Sequence, residues 1–526
     1  MKKSFALFDY KKIDGWIVLA AFVYILLPVM IFLMKFTRPM YFIIGLVLFV
    51  YMLFASLKQI KGSSGFNNQD ILNKKTLLFL LATIVVLVIW TYFSGIGSFT
   101  YQNWDFWVRN PIYNDLISKP WPLYYNLGLQ DLYVTDLIGG EWVAFSYYFT
   151  YWLTPAFLCK LFSLSYAGCQ LVLFVHSLIG LIIVYYLLSR LFNTFSWKIA
   201  AIFMGFSGLD IVACLLYTHA LPKLSDDLEW SLKYFQLSGN TTQLYYVFNQ
   251  SIPIWIIILL ILNLDAPKVT AAIAAICFAY SPWATIGLVP IAIAVLIYKR
   301  GDEKLLSRVK NCISLCNILI PLFLLIIYGL YYTASNGSNG GKGLYYQAMG
   351  ATLSEYIPLF ILYVITEFGL YYIAIGKGLL KLRYSIIVFI ELTLFPIYYI
   401  VDFNFFIRGT IPALFLLMIM VISYIMNDIP NSIRVSNNGF SDDKKYNLRK
   451  QILTVLLVIG AFTGIFTFTR SITETLKGGD YLQSDISTFD DMSDANEYQI
   501  LTVNSQFFVH GFATKPFYLF ISKLGL

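Results

Sequence analysis

Apolar runs alternate with short polar connections from residue 16 to residue 468, and within each run the apolar positions are continuous. A strand facing lipid would alternate apolar and polar residues, so these runs exclude a β-barrel. Many approach the ~20 residues that a helix needs to cross a bilayer. The pattern predicts spans near 16–34, 39–57, 76–94, 168–189, 197–216, 251–264, 268–281, 283–298, 310–332, 356–375, 384–400, 410–426 and 451–468. The expected fold is therefore all-α and polytopic, with about 13 transmembrane helices. Juxtamembrane helices are expected in the first large loop.

Composition agrees. The chain is 59% hydrophobic and 13% charged, against roughly 25% charged for a soluble protein. The formal charge of +8 does not point to nucleic acid, because the cations sit in a few short loops, as in positive-inside topology. Lys2, Lys3, Lys11 and Lys12 place the N-terminus in the cytoplasm. The loop with Lys58, Lys61, Lys74 and Lys75 returns there, as do Lys299–Lys310, Lys377–Arg383 and Arg434–Lys450. The run from Ile13 reads as the first membrane helix, since it is too long for a cleavable signal and lacks a small-residue cleavage site. These assignments predict a multi-pass cell-membrane protein. A membrane domain would occupy 1–468, with outer loops 95–167, 217–250 and 333–355. The tail 469–526 would be extracytoplasmic and packed on those loops.

The stretch 141–161 conflicts with this count. If it crossed the bilayer, the loop at 190–197 would fall on the wrong side. It is expected to be a re-entrant or juxtamembrane helix, and its Tyr and Trp residues suit an interface. Whether it spans stays open at the sequence level. Six cysteines lie in or beside apolar runs, without a CxxC pair. They read as small buried hydrophobes. Cys312 and Cys316, one helical turn apart, would share a face.

Chemistry gathers in the outer segments. Asp105 follows the third span inside "WDFW". A carboxylate among rings is partly desolvated, which suits a base. Trp104, Trp107 and Trp121 offer faces for a sugar, or anchors for a membrane interface. Arg109 and Lys119 are cations near the membrane surface, able to hold a phosphate. Arg109 stands four residues after Asp105, so on a helix the two would also be placed to pair with each other. Arg408, in "VDFNFFIRGTIP", either binds phosphate or pairs with Asp402. Asp136 and Glu141 bracket a Gly-Gly turn, and Asn249 and Gln250 end a polar segment that also holds His219, Asp226, Asp227 and Glu229. Amides beside aromatic rings suit carbohydrate and equally suit a wet loop. His219 lacks metal-ligand company at a recognisable spacing. His176 reads as a hydrogen-bonded core residue. The segment 334–343 is Gly- and Asn-rich, does not match a nucleotide phosphate loop, and reads as a loop or lid. No pattern names a cofactor, and a metal requirement stays open.

The layout then resembles a known group. An Asp-bearing first large outer loop is followed by "SYYFTYWLTPAFLCKLFSLS", another span, and "YYLLSRLF". This order is similar to the GT-C superfamily of polyprenyl-phosphate-sugar-dependent membrane glycosyltransferases, over about the first 220 residues. The resemblance implies a GT-C-like fold and an enzyme. It would move a sugar from a polyprenyl-phosphate carrier to an extracytoplasmic glycan, lipid or protein acceptor, with inversion. Asp105 would be the catalytic base. Arg109, Arg408 and Lys119 would hold the carrier phosphate. Trp104, Trp107, Trp121, Asp136, Glu141, Asn249 and Gln250 would line the substrate site. Membrane lipids and the lipid-linked donor would be its partners.

Two other readings stay open. A transporter or flippase for lipid-linked or polar solutes would place ionisable residues near the midplane of broken helices. A cell-surface polysaccharide polymerase would use arginine-rich outer loops, and these loops hold few arginines.

Overall fold

A computed structural model describes residues 10–60, 74–126, 142–298, 305–335, 342–400, 404–435, 439–440, 444–478, 488, 508–509 and 511–523. Ten of its helices are long and apolar enough to cross a membrane, and three shorter apolar helices cover 270–279, 282–297 and 385–397. Together these fall on the stretches expected from hydropathy. The chain is an all-α membrane protein.

Three helices open it: α1 (Tyr10–Phe36), α2 (Pro39–Ile60) and α3 (Lys74–Tyr92). The short α4 (Phe106–Ser118) and α5 (Leu153–Leu161) follow, then α6 (Tyr166–Leu191). Next come α7 (Trp197–Gly205), α8 (Asp210–Thr218) and α9 (Asn240–Leu264). Sequence supplies several of the helix starts. Ser165, Ser281 and Ser314 accept from the amides of Gly168, Ala284 and Asn317, satisfying donors that the first turn leaves free.

The core lies around α9 and the helix spanning Phe405–Met426, each with 94% of its apolar window buried. By contrast α2, α3 and the last long helix, Tyr446–Lys477, turn apolar side chains outward, among them Val47, Phe54, Leu81, Val85, Val455 and Val458. In water such a surface would be an aggregation site. In hydrocarbon it is solvated by lipid tails, and the backbone needs nothing further because its hydrogen bonds are internal. Two buried ion pairs tie helices together. Arg190 on α6 donates to Asp14 on α1 at 2.8 Å, with Tyr186 and Asn263 completing the network. Arg308 lies 3.5 Å from Asp265, the left-handed residue that ends α9.

Several expectations need correction. The helix expected at 251–264 starts at Asn240, so the last third of the loop expected at 217–250 is helical, and Asn249 and Gln250 are inside it. Hydropathy misses that third because its Asn, Thr and Gln side chains are polar but buried. The span at 197–216 is two helices, separated by the extended residues 206–209. The span at 451–468 belongs to a longer helix that absorbs the start of the expected tail. Cys312 ends one helix and Cys316 begins the next, with the Ser314 cap between them, so no single helical face carries both.

The stretch 141–161 does not form one helix. Trp142–Phe145 is a strand, residues 150–152 a 3-10 turn, and α5 has 9 residues, about 13 Å, too short to span a bilayer. Among the described residues the strands are few. Tyr124–Asn126 pairs antiparallel with Trp142–Phe145, which pairs with Phe508–Val509. Lys342–Leu344 pairs with Tyr398–Ile400. From the tail, the described residues 511–523 pack on the α1–α2 turn, where Arg38 donates to the carbonyl oxygens of Leu519 and Ser522.

Candidate functional site

The loop after α3 turns back on itself through two glycines of positive φ, Gly95 (83°) and Gly97 (89°), before α4 begins. Around the site Gln102 donates to the Gly95 carbonyl at 2.9 Å and Asn110 to Gln102 at 2.7 Å. Asn103 crosses to α9 and donates to the Tyr245 carbonyl at 2.8 Å. That carbonyl is available because α9 breaks at Val247 (φ −140°, ψ 34°). The loop is thereby held against the central helix.

Asp105 stands immediately before α4, and Arg109, one turn on, donates from Nη2 to Asp105 Oδ2 at 2.6 Å. The pairing allowed by their spacing is therefore made. It leaves two groups available. Arg109 Nη1 is buried without a hydrogen-bond partner, and the Asp105 side chain is 33% exposed. The Arg109 guanidinium lies over the rings of Phe106 and Phe248. Burial lowers the pKa of Arg109 from its ordinary value, Asp105 opposes that shift, and the positive charge of Arg408 adds to it.

Arg408 arrives from a distant part of the chain, at the end of the helix Asn404–Gly409. Its Nε is also buried without a partner. Its charge acts on Tyr147, as does that of Arg109. Tyr147 and Tyr148 have ring centroids 3.9 Å apart, and burial raises the Tyr147 pKa, with both arginines opposing. So Asp105, Arg109, Arg408 and two tyrosines face one region. Its chemistry is a paired carboxylate beside two guanidiniums that retain unsatisfied N–H groups, an arrangement suited to an anion with several oxygens.

The other expected residues divide. Trp104 and Trp107 stack at 5.0 Å beside Asp105, with Trp104 69% exposed. Asn249 and Gln250 are buried just past the α9 break, and neither amide atom of Asn249 has a partner, nor has Gln250 Oε1. Lys119 ends α4, about ten residues and ~15 Å from Arg109; its ammonium covers the Tyr125 ring, and its carbonyl accepts from Lys160. Trp121 is beside Lys119, donating to the Leu116 carbonyl and packing on Phe36. Neither belongs to the Asp105 group. Asp136, Glu141 and Asp402 lie outside the described residues, as does most of the Gly-rich segment 334–343. His176 is half-buried, and its ring stacks on that of Tyr24. His219 ends α8 in the left-handed conformation.

A second polar centre joins Glu229, from the polar segment after α8, to two acids that the sequence did not single out, Asp210 and Glu367. Asp210, at the start of α8, accepts from Ser207 at 3.0 Å and from Thr463 at 2.7 Å. Glu367, buried on the helix Leu353–Lys381, lies against Gly208 and is electrostatically coupled to Asp210 and Glu229. Glu229 lies between α8 and α9, bound by the Gly239 amide at 2.8 Å and by Gln236 at 3.1 Å. Burial, reinforced by the charge of Asp210, pushes Glu229 up to about 8. Among the described residues no group of three or more His, Cys, Asp or Glu is placed to hold a metal ion. The signal available in sequence was the break itself, "GFSGLD", in a run otherwise apolar.

Comparison with family models, curated proteins and solved structures finds no match for this chain.

Proposed function

We propose that the chain is a membrane glycosyltransferase of GT-C type, moving a sugar from a polyprenyl-phosphate carrier to an acceptor hydroxyl. The observation that carries this reading is the convergence of Arg109 and Arg408, each with an unpartnered buried N–H, beside the accessible carboxylate of Asp105. The acceptor oxygen attacks the anomeric carbon as its proton passes to Asp105. The bond from that carbon to the carrier phosphate breaks, with inversion. The departing phosphate gains a negative charge, which the two guanidiniums stabilise where it develops. Trp104 and Trp107 stack beside the carboxylate and offer a face to a pyranose ring.

The test uses the full chain in nanodiscs with a panel of undecaprenyl-phosphate-linked sugars, reading release of undecaprenyl phosphate. Asp105→Asn is expected to lower turnover by about 10²–10⁴ and, because it removes the ion-pair partner of the buried Arg109, to lower the melting temperature without preventing folding. Undiminished turnover in that folded variant would remove Asp105 as the base.

One observation favours transport of a polar solute as a second reading. Asp210 and Glu367 are buried ionisable residues at a helix break, a feature of solute and ion pathways. Under that reading, Asp210→Asn abolishes solute flux into proteoliposomes and Asp105→Asn leaves it intact.

A further inference from the structure

Three interruptions of helical backbone meet at one place in the membrane domain. Residues 206–209 separate α7 from α8. The helix Leu353–Lys381 widens into a π turn at Val364–Gly369. The loop that carries Glu229 ends at Gly239, where α9 begins. These segments are joined directly. The Leu209 amide donates to the Thr366 carbonyl at 3.0 Å, and the Tyr371 hydroxyl to the Ser207 carbonyl at 2.9 Å. Helix breaks and π turns recur where membrane proteins bind a solute or an ion.

The side chains gathered there are acids. Asp210, Glu229 and Glu367 are 1%, 6% and 3% exposed. Asp210 Oδ2 accepts from the hydroxyls of both Ser207 and Thr463, which brings two more oxygens within 3.0 Å of it. Two glycines allow the approach. A Cβ on Gly208 would overlap Glu367 Oε2, and one on Gly239 would stand 2.5 Å from Ser207 Oγ. Glu367 Oε2 is buried without a hydrogen-bond partner, and the charges of Asp210 and Glu229 both act on Glu367. The other titratable groups facing this centre are Tyr363 and Tyr371. Among the described residues no Lys, Arg or His acts on any of the three acids. Buried carboxyls without a base do not ionise together unless a cation joins them. A multivalent ion calls for several acids around one point, and the described residues gather no such group of three. A small monovalent cation needs fewer, and carboxyl with hydroxyl oxygens suits it.

We propose that Asp210 and Glu367, with the hydroxyls of Ser207 and Thr463, bind a small monovalent cation, a proton or Na+. Glu229 lies between this site and the surface. Asp227, two residues before it, is exposed and pairs with Arg470 at 2.6 Å. The claim concerns binding alone and depends on neither functional reading.

The full chain in detergent is melted at fixed pH in NaCl and in choline chloride of equal ionic strength. Na+ as the ligand is expected to raise the melting temperature by about 1–3 °C for each tenfold increase in its concentration, and Asp210→Asn or Glu367→Gln to abolish that rise. A proton as the ligand is expected to leave the two salts equivalent. It gives instead, in infrared spectra recorded across a pH titration, a protonated-carboxyl band that persists above the ordinary carboxylate range and loses intensity in Asp210→Asn or Glu367→Gln. Each variant replaces an acid by its neutral isostere, so the fold is expected to persist, and size-exclusion profiles check this. The proposal is overturned if the parent shows neither response, if the Na+ response survives in both variants, or if the salts are equivalent and both variants keep the band unchanged.

Discussion

Arg109 donates to Asp105 at 2.6 Å through Nη2 and keeps Nη1 unpaired. A guanidinium has five donors in a fixed fork, so one ion pair does not exhaust it. Burial then makes the remaining donor costly to leave unmade, which is the physical reason to expect an anion there. Arg408 brings a second such donor from a distant part of the chain.

Arg408 is the cleaner of the two to change, because it supports no ion pair among the described residues. Arg408→Gln is expected to raise the KM for a polyprenyl-phosphate sugar about 10- to 100-fold, the loss of one charge-assisted hydrogen bond of roughly 1.5–3 kcal/mol. Steady-state kinetics with a varied donor concentration reads this. A KM that stays at the parent value places the carrier phosphate elsewhere.

Glu229 gives stability a pH dependence of definite sign. Its folded-state pKa, about 8, stands above the ordinary 4.5. Between these values the folded chain holds a proton that the unfolded chain has released. The contribution is therefore fully present below about pH 4.5 and is lost as pH rises towards 8. Asp210 and Glu367 face the same group and act in the same direction on it when charged. Melting temperature in detergent is expected to fall across that window, and Glu229→Gln, which is neutral throughout, is expected to flatten the fall. A parent profile that is flat or rises would refute the assignment.

The pair of Arg190 and Asp14 joins α1 to α6 with side chains 1% and 9% exposed. Removing one partner strands a buried charge. Arg190→Met is expected to cost about 3–5 kcal/mol, and Asp14→Asn combined with Arg190→Gln distinctly less. Unfolding in a dodecyl sulfate titration measures both. Equal losses in the single and double variants would mean that the charge is not what matters.

Gly208 lies in the break between α7 and α8, where a Cβ would overlap the Glu367 carboxylate. Gly208→Ala is expected to destabilise by about 1–3 kcal/mol through overpacking. Adding Glu367→Ala should recover part of it, since neighbouring changes that relieve one clash are not additive. Strict additivity in the double-mutant cycle would show that the two do not touch.

The helices were legible in the sequence because their signal is local. A run such as 39–57 is apolar at every depth and needs no partner to be recognised. The start of α9 was not legible, because Asn240, Thr241, Thr242 and Gln243 are polar and become helical only when neighbouring segments satisfy them: Asn240 donates to the Phe203 carbonyl and Gln243 to that of Ser238. For the site, the pairing of Asp105 with Arg109 follows from helical spacing alone. That Lys119 stands apart follows from the same spacing, once α4 is known to run unbroken between them.

What the sequence determined by itself is the all-α membrane class, the positions of its apolar helices, and the enrichment of rings and charges after the third one. These depend on hydropathy and on periodicity over about 20 residues. Only the tertiary structure decided that Arg408 joins Arg109, that Asp210, Glu229 and Glu367 share one interior, and that Arg449 reaches across to Gly376. Each of these brings together side chains far apart in the chain. Which of them meet depends on how buried helices pack and on where α9 and the run after α7 break, and no local pattern encodes that.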